Sequence, residues 1–171
     1  MLHVRAAASG DAAAVASIYN EGIADRVATF ETRERSAEDV RAWLDDPLPF
    51  LVAERDDGRI VGFARVGPYS DRCVYAGVGE HAVYVARGAR GDGIGRRLLD
   101  EVALAAEAAG LYKLTSRIFA DNASSIAAHR AAGFDVVGVQ RRHGRLDGAW
   151  KDCVLVERLL GDAARRDERR A

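Results

Sequence analysis

The segment Arg90-Gly91-Asp92-Gly93-Ile94-Gly95-Arg96 decides how the rest of this chain is interpreted. It follows an apolar run that ends in Tyr84-Val85, and it opens a stretch in which apolar residues recur at helical spacing. The three glycines let backbone N–H groups approach a ligand, and a helix N-terminus adds partial positive charge. The segment therefore indicates a strand-to-helix turn that binds phosphate or pyrophosphate, with Arg90 and Arg96 able to add charged contacts.

Two other glycine-rich motifs are excluded by the letters of this turn. A Walker A loop ends in Gly-Lys-Ser/Thr, whereas Gly95 is followed by Arg96. A dinucleotide-binding fingerprint has the spacing GxGxxG, whereas Gly91, Gly93 and Gly95 follow the tighter spacing GxGxG. The remaining alternative is a glycine-rich turn between a strand and a helix that binds no ligand.

Periodicity along the rest of the chain predicts one α/β domain over residues 1–161, followed by a charged tail over residues 162–171. The pairs Asp57-Gly58 and Asp147-Gly148 predict hairpin turns. The predicted strands cover residues 3–7, 50–54, 60–66, 79–85, 113–119, 136–140 and 150–159. The predicted helices cover residues 12–24, 36–44, 93–109 and 122–133.

Composition argues against several classes of protein. The chain has 25 basic and 26 acidic residues. It therefore lacks the excess of basic residues that would indicate binding to nucleic acid. No apolar stretch reaches membrane-spanning length, and the first residues lack the apolar core of a signal peptide. We interpret Cys73 and Cys153 as free thiols of a cytoplasmic protein. The histidines at positions 3, 81, 129 and 143 lack helical metal-ligand spacing, so no metal is expected.

The turn at Arg90–Arg96 matches Arg/Gln-x-x-Gly-x-Gly/Ala, and through it the chain resembles the GCN5-related N-acetyltransferase (GNAT) superfamily. Asn122, followed by a helix that ends in Gly133-Phe134, agrees with this resemblance. The segments Thr29-Phe30-Glu31-Thr32 and Val83-Tyr84-Val85 are similar to one branch, the phosphinothricin and arsinothricin N-acetyltransferases. The resemblance implies a mixed central sheet flanked by helices, with fourth and fifth strands that splay apart, partly through a β-bulge.

The same resemblance implies that acetyl-CoA is the cosubstrate and lies in the gap between those two strands. Backbone groups of Val83, Tyr84 and Val85 would pair with the pantetheine arm and polarise the acetyl carbonyl. The amides from Arg90 to Arg96 would hold the pyrophosphate. Asn122 would bind the pantetheine arm, and its alternative role is that of a plain helix cap.

The implied chemistry is direct attack of an amine on the thioester, which requires a base to remove a proton from the ammonium group. Glu80, at the start of the fourth strand, is the candidate base, and its alternative role is that of a solvated strand residue. His129 or Tyr84 would protonate the departing thiolate. A core or helix-surface histidine is the alternative interpretation of His129.

The expected acceptor is the α-amine of a small amino acid such as phosphinothricin or arsinothricin, in a detoxification role. Arg72 is the candidate to bind an acid group of this acceptor, with Phe30 and Tyr75 as pocket walls, and a surface arginine is the alternative. The resemblance also implies a homodimer formed through the C-terminal strands near Trp150. The alternatives are acetylation of another small amine or a peptide N-terminus, or a non-catalytic acetyl-CoA sensor.

Overall fold

The computed structural model describes residues 1–165, which form one seven-stranded sheet with helices on both faces. The strands are β1 (Leu2–Ala6), β2 (Phe50–Arg55), β3 (Ile60–Pro68), β4 (Val78–Val85), β5 (Lys113–Phe119), β6 (Asp135–Leu146) and β7 (Ala149–Leu159). The helices are α1 (Ala12–Asp25), α2 (Ala37–Ala42), α3 (Ile94–Ala108), α4 (Ala123–Ala131) and α5 (Gly161–Ala164). The order of elements is the predicted one, with α5 added at the C-terminal end.

The sheet has the strand order β1-β2-β3-β4-β5-β7-β6. Within residues 1–165, only β4 and β5 run parallel, and every other pair is antiparallel. Helix α3 connects the two parallel strands, as a crossover between parallel neighbours requires. The predicted mixed sheet is therefore confirmed, and its single parallel pair lies at the centre.

Two apolar layers hold the helices against the sheet. On one face, Leu98, Leu99 and Val102 of α3 are fully buried against β3, β5 and β7. On the other face, α1 and α2 bury Val15 and Val40 against β2 and β3. Each fully buried side chain of this kind contributes about 1.5–3 kcal/mol of burial free energy. The sheet is thus fixed from both faces around the β4–β5 pair.

Strands β4 and β5 separate soon after they meet. Their pairing covers only Val78–Glu80 against Lys113–Thr115. Beyond Glu80, β4 remains paired with β3 as far as Val85, and β5 remains paired with β7 as far as Phe119. The predicted splay is confirmed, but the predicted β-bulge in β4 is wrong, because the β3–β4 register runs without a shift. The facing edges of β4 and β5 therefore lack a strand partner along this gap.

Strand β6 is longer than the sequence pattern predicts. The prediction ends the strand at Gln140, whereas the observed strand continues to Leu146 through a register shift between Gln140 and Gly144. The Asp152 carboxylate accepts a 2.7 Å hydrogen bond from the backbone N–H of Arg142, whose φ is 50°. The extra residues thus form a bulge with their own polar contact, and pairing resumes on its far side.

The remaining elements begin and end within two residues of the predicted positions. Asp147 and Gly148 both have positive φ, of 48° and 81°, as a type I′ hairpin turn requires. Of the charged tail predicted for residues 162–171, residues 162–164 lie in α5, and residues 166–171 lie outside the described part of the chain. No helix in residues 1–165 has the length and apolarity needed to cross a membrane.

Candidate active site

A cavity of about 820 Å³ occupies the gap between β4 and β5 and extends to the start of α3. Side chains alternate along β4, so Glu80 and Tyr84 lie on the face toward α1, and His81 lies on the face toward α4. Tyr84 packs against Gly22 of α1, and His81 packs against Phe134, which confirms this alternation. The cavity therefore opens onto both faces of the sheet at the point where the strands part.

The glycine-rich turn forms one end of this cavity. Gly91 and Gly93 have φ of 90° and 77°, in the left-handed region that favours glycine. The first backbone hydrogen bond of α3 is donated by the N–H of Arg97 to the carbonyl of Gly93. The N–H groups that precede Arg97 in the first turn therefore lack a helical acceptor and are available to an anion. The backbone fits a phosphate group, as the sequence predicts.

An ion-pair cluster anchors one of the two predicted arginines. Asp25, at the end of α1, accepts 2.6 Å hydrogen bonds from both Arg87 and Arg90. These two hydrogen bonds hold the pKa of Asp25 below its usual range. Arg90 also donates to the carbonyl of Val85 at 3.1 Å. The guanidinium of Arg90 is thus fixed beside the turn before any ligand binds.

The other charged residues of the turn point in different directions. Arg96 is exposed, with Nε 3.7 Å from the carboxylate of Asp100. Asp92 accepts a 2.7 Å hydrogen bond from Arg55 and so ties the turn to β2. Gly95 lies in the first turn of α3, where an added Cβ would contact only Val85, at 3.7 Å. Both Arg96 and Gly95 line the cavity.

On the face toward α1, Glu80 forms an ion pair with Arg117 of β5. Nη1 of Arg117 donates to Oε1 of Glu80 at 2.6 Å. Both side chains line the cavity and are partly exposed, at 39% for Glu80 and 31% for Arg117. Phe119, two residues after Arg117, continues the same wall. Glu80 thus stands at the last position where β4 pairs with β5, at the start of the gap, and its role as the base stays a prediction.

On the opposite face, His81 and His129 form a buried pair. Their Nε2 atoms lie 3.0 Å apart, and each residue is only 2% exposed. Nδ1 of His129 lies 2.8 Å from the carbonyl of Ser125, which can only accept, so this nitrogen carries a proton. Burial lowers the pKa of His129, and burial together with the neighbouring His129 lowers the pKa of His81 to about 3. Both rings are therefore neutral.

Tyr84 is a second donor near the gap. Its ring stacks on Phe63 at 5.3 Å and meets Tyr19 edge-to-face at 4.9 Å. Burial and the neighbouring Tyr19 raise the pKa of Tyr84. The hydroxyl therefore keeps its proton at neutral pH and can act only as a neutral hydrogen-bond donor or acid.

Asn122 has both a capping contact and a place in the cavity wall. Its Oδ1 accepts from the backbone N–H of Ser125 at 3.2 Å, so it caps α4. Its Nδ2 donates to the carbonyl of Val27 at 3.0 Å and ties α4 to the segment after α1. The helix-cap interpretation is confirmed, and binding of a pantetheine arm stays a prediction.

Three predicted acceptor residues lie outside the cavity lining. Arg72 and Tyr75 belong to the loop between β3 and β4, where the guanidinium of Arg72 lies 5.5 Å from the ring centre of Tyr75. Phe30 packs edge-to-face on Phe119 at 4.7 Å and covers Gly144 of β6, where a side chain would collide with the ring. Phe30 thus borders the cavity through Phe119, whereas Arg72 and Tyr75 lie on an exposed loop.

Four residues of the site were missed at the level of sequence: Asp25, His81, Arg87 and Arg117. The partners of Arg117 and of His81 are 37 and 48 positions away in the chain. The sequence pattern distinguishes His81 only as one of four histidines without metal-ligand spacing. Within residues 1–165, no three His, Cys, Asp or Glu side chains cluster as a metal site would require. Strand alternation was the available signal, because it places Arg117 on the face of Glu80 once the parallel pair is known.

The Acetyltransferase (GNAT) family model matches residues 15–134 of this chain. A phosphinothricin N-acetyltransferase from Alcaligenes faecalis is 35% identical, over 92% of this chain and 82% of the relative. An L-methionine sulfoximine/L-methionine sulfone acetyltransferase from Pseudomonas aeruginosa is 30% identical, over 90% of this chain and 92% of the relative. The crystal structure of a GNAT superfamily phosphinothricin acetyltransferase from Sinorhizobium meliloti in complex with AcCoA superposes with a TM-score of 0.89, at 30% identity, covering 95% and 90% of the two chains.

The chain belongs to the GNAT family of acetyltransferases. It is an N-acetyltransferase, and its acetyl donor is acetyl-CoA. The site fits this cosubstrate in two respects. The turn at Gly91–Gly95 offers backbone N–H groups to a pyrophosphate, and the unpaired edge of β4 offers backbone groups to the amides of a pantetheine arm.

Proposed function

We propose that this enzyme acetylates the α-amine of a small, amino-acid-like acceptor such as phosphinothricin, arsinothricin or methionine sulfoximine. The position of Glu80 carries the proposal. This carboxylate stands where β4 leaves β5 and lines the same cavity as the glycine turn. An amine beside Glu80 would therefore meet an acetyl group whose CoA lies along β4, and N-acetylation of toxic glutamate analogues would serve detoxification.

The proposed reaction is direct transfer in a ternary complex. Glu80 takes a proton from the ammonium group of the acceptor, directly or through a water, and frees the lone pair for attack on the thioester. Backbone groups of Val83, Tyr84 and Val85 hold the pantetheine arm and polarise the acetyl carbonyl. The C–N bond forms as the C–S bond breaks, and the sulfur leaves as a thiolate.

Two residues are proposed donors to this thiolate, one on each face of the sheet. Tyr84 keeps its proton because burial raises its pKa. His129 lines the cavity, but its Nε2 accepts the proton of His81, so His129 would donate only after Nε2 takes up a proton of its own. Single-turnover rates distinguish them. The variant, Tyr84→Phe or His129→Gln, that lowers the rate of acetyl transfer about a hundredfold or more and leaves acetyl-CoA binding unchanged identifies the donor.

The experiment that tests this function measures thiol release from acetyl-CoA against a panel of amines. The panel contains L-phosphinothricin, arsinothricin, L-methionine sulfoximine, an alanine-starting peptide and an amine without a carboxylate. We expect the amino acid analogues to give the highest kcat/KM, with N-acetylated products confirmed by mass spectrometry. A preference for the peptide would support acetylation of protein N-termini instead. Binding of acetyl-CoA without transfer to any amine would support the sensor alternative.

Arg72, Tyr75 and Phe30 are retained as proposed acceptor contacts. Phe30 is supported by its packing on Phe119, a residue of the cavity wall. Arg72 and Tyr75 require the β3–β4 loop to close over the cavity. Arg72→Ala should then raise the KM of the acceptor about ten- to a hundredfold and leave the KM of acetyl-CoA unchanged. An unchanged acceptor KM would assign Arg72 to the surface.

We also propose that the enzyme is a homodimer in the cytoplasm. Strand β6 is an edge of the sheet, and Val137, Val139 and Trp150 of the β6–β7 hairpin are more than half exposed. An apolar edge strand of this kind is suited to pairing with a second copy. Light scattering should give the mass of a dimer, and Val139→Asp should give a monomer. Cys73 is exposed and forms no disulfide within residues 1–165, which supports a location in the reducing cytoplasm.

A further inference from the structure

Arg117 has unused hydrogen-bond donors at the point where the acceptor amine is expected. A guanidinium carries five N–H donors, and a single hydrogen bond, to Glu80, is found for this one within residues 1–165. Its Nε is buried without a partner in the same residues, and an unpaired buried donor is costly. About a third of the side chain is exposed, and it lines the cavity. An anion reaching this wall would therefore find a cation with unused hydrogen-bonding capacity.

Glu80 and Arg117 together form a pair of opposite charges within 2.6 Å of each other. An α-amino acid carries the complementary pair, an ammonium and a carboxylate attached to the same carbon. If the amine lies at Glu80, which the proposed function requires, the carboxylate one carbon away lies within reach of Arg117. We propose that Arg117 binds the α-carboxylate of the acceptor, so that the Glu80–Arg117 pair selects free α-amino acids.

Other arginines near the cavity are less suited to this role. Arg65 lines the wall, but its guanidinium lies 4.7 Å from the ring centre of Trp43 and 3.9 Å from the carboxylate of Asp46. Arg72 lies on the exposed loop beyond β3. Neither is hydrogen-bonded to Glu80 in the described residues. Arg117 alone among them is in contact with the base and is held on a strand paired along its whole length with β7.

The proposal makes the α-carboxylate a specificity determinant. Amides, esters and decarboxylated amines have the reactive amine but lack the anion next to it. A peptide N-terminus lacks it too, because its α-carboxyl group is in a peptide bond. These compounds should bind Glu80 without satisfying Arg117, and the enzyme should discriminate against them. The Glu80–Arg117 pair thus separates small amino acids from protein substrates.

The test compares two acceptors that differ only at the α-carboxyl group, L-phosphinothricin and its α-carboxamide. In the wild type, kcat/KM should be about ten- to a hundredfold higher for the acid. Arg117→Gln should remove most of this preference by lowering the rate with the acid far more than the rate with the amide. Arg117→Lys, which keeps a positive charge, should restore part of the preference.

Lys113→Gln is the matched control. Lys113 lies on the same strand and forms a comparable ion pair, 2.5 Å from Glu157, but does not line the cavity. This variant should keep the preference for the acid. Equal losses with the acid and the amide in Arg117→Gln would overturn the proposal, because they would show that Arg117 only positions Glu80. Absence of transfer to any amino acid by the wild type would instead overturn the proposed function itself.

Discussion

Nε2 of His81 lies 3.0 Å from Nε2 of His129, and both rings are buried on the face of the sheet toward α4. Because the Ser125 carbonyl accepts the proton of Nδ1 in His129, Nε2 of the neutral His129 ring is an acceptor. His81 must then donate its own Nε2 proton. The pair is a hydrogen bond between two neutral imidazoles, and charging either ring breaks this arrangement.

Stability should therefore fall as the solution is acidified through the range of an ordinary histidine. The unfolded chain binds protons at His81 below about pH 6.5, whereas the folded chain does so only near pH 3. The contribution of the neutral His81 ring to the free energy of unfolding is fully present above pH 6.5 and is lost as the pH falls toward 3. The loss for His81 is about 1.4 kcal/mol per pH unit within this window.

Urea unfolding at several pH values measures this effect. Between pH 6.5 and pH 4.5, the free energy of unfolding of His81→Gln should decline less than that of the wild type, by roughly 2–3 kcal/mol. His143→Gln, which changes an exposed histidine, is the control and should follow the wild-type curve. Parallel curves for wild type and His81→Gln would show that His81 is not held neutral.

Gly95→Val should test whether the start of α3 binds the pyrophosphate. Gly95 lies in the first turn of α3 and does not have a positive φ, so a side chain fits the backbone. Because the family signature has Gly or Ala at this position, the larger branched side chain of valine is needed to block the approach of the pyrophosphate. Calorimetry should show CoA binding weakened about ten- to a hundredfold.

Gly88→Ala is the control for that experiment, because its added methyl group meets only open space and Gly88 does not line the cavity. It should leave CoA affinity unchanged. Wild-type affinity in Gly95→Val would remove the start of α3 from the site. Weaker CoA binding together with a lower free energy of unfolding would indicate that the substitution disturbs the helix and not that it blocks the pyrophosphate.

Asp25→Asn should weaken binding of acetyl-CoA and leave binding of the acceptor unchanged. The carboxylate holds Arg87 and Arg90 beside the glycine turn, and an asparagine cannot keep both ion pairs. Because the pairs are partly exposed, the KM of acetyl-CoA should rise only about two- to fivefold. Steady-state kinetics with each substrate varied in turn would check this split. An equal rise in the acceptor KM would contradict the assignment of Arg90 to the CoA end.

Local patterns in the sequence were enough to predict the order of helices and strands and the glycine turn, whereas the mixed, splayed sheet was expected from the resemblance. Glycine spacing located the turn at Gly91–Gly95, and strand order located Glu80, because each signal lies within a few neighbouring residues. The Glu80–Arg117 ion pair could not be derived in this way, since it joins strands 37 positions apart. Its prediction needs the sheet order first.

The errors have a similar physical origin. Strand β6 was ended too early because the polar run after Gln140 resembles a loop, whereas Asp152 on the neighbouring strand satisfies the backbone of Arg142 and lets pairing resume. The β-bulge expected in β4 was inferred from the family and not from residues. Strands β4 and β5 can separate without a bulge, because β4 remains paired with β3 and β5 remains paired with β7.

The most direct test of Glu80 as the base is the pH dependence of the Glu80→Gln rate. Glutamine keeps the shape of the side chain but cannot accept the ammonium proton. At neutral pH, kcat/KM for L-phosphinothricin should fall about a hundred- to ten-thousandfold, and the loss should shrink as the pH rises, because free amine then arrives without help. A wild-type rate at neutral pH, or a large loss that stays constant with pH, would contradict the role of Glu80 as the base.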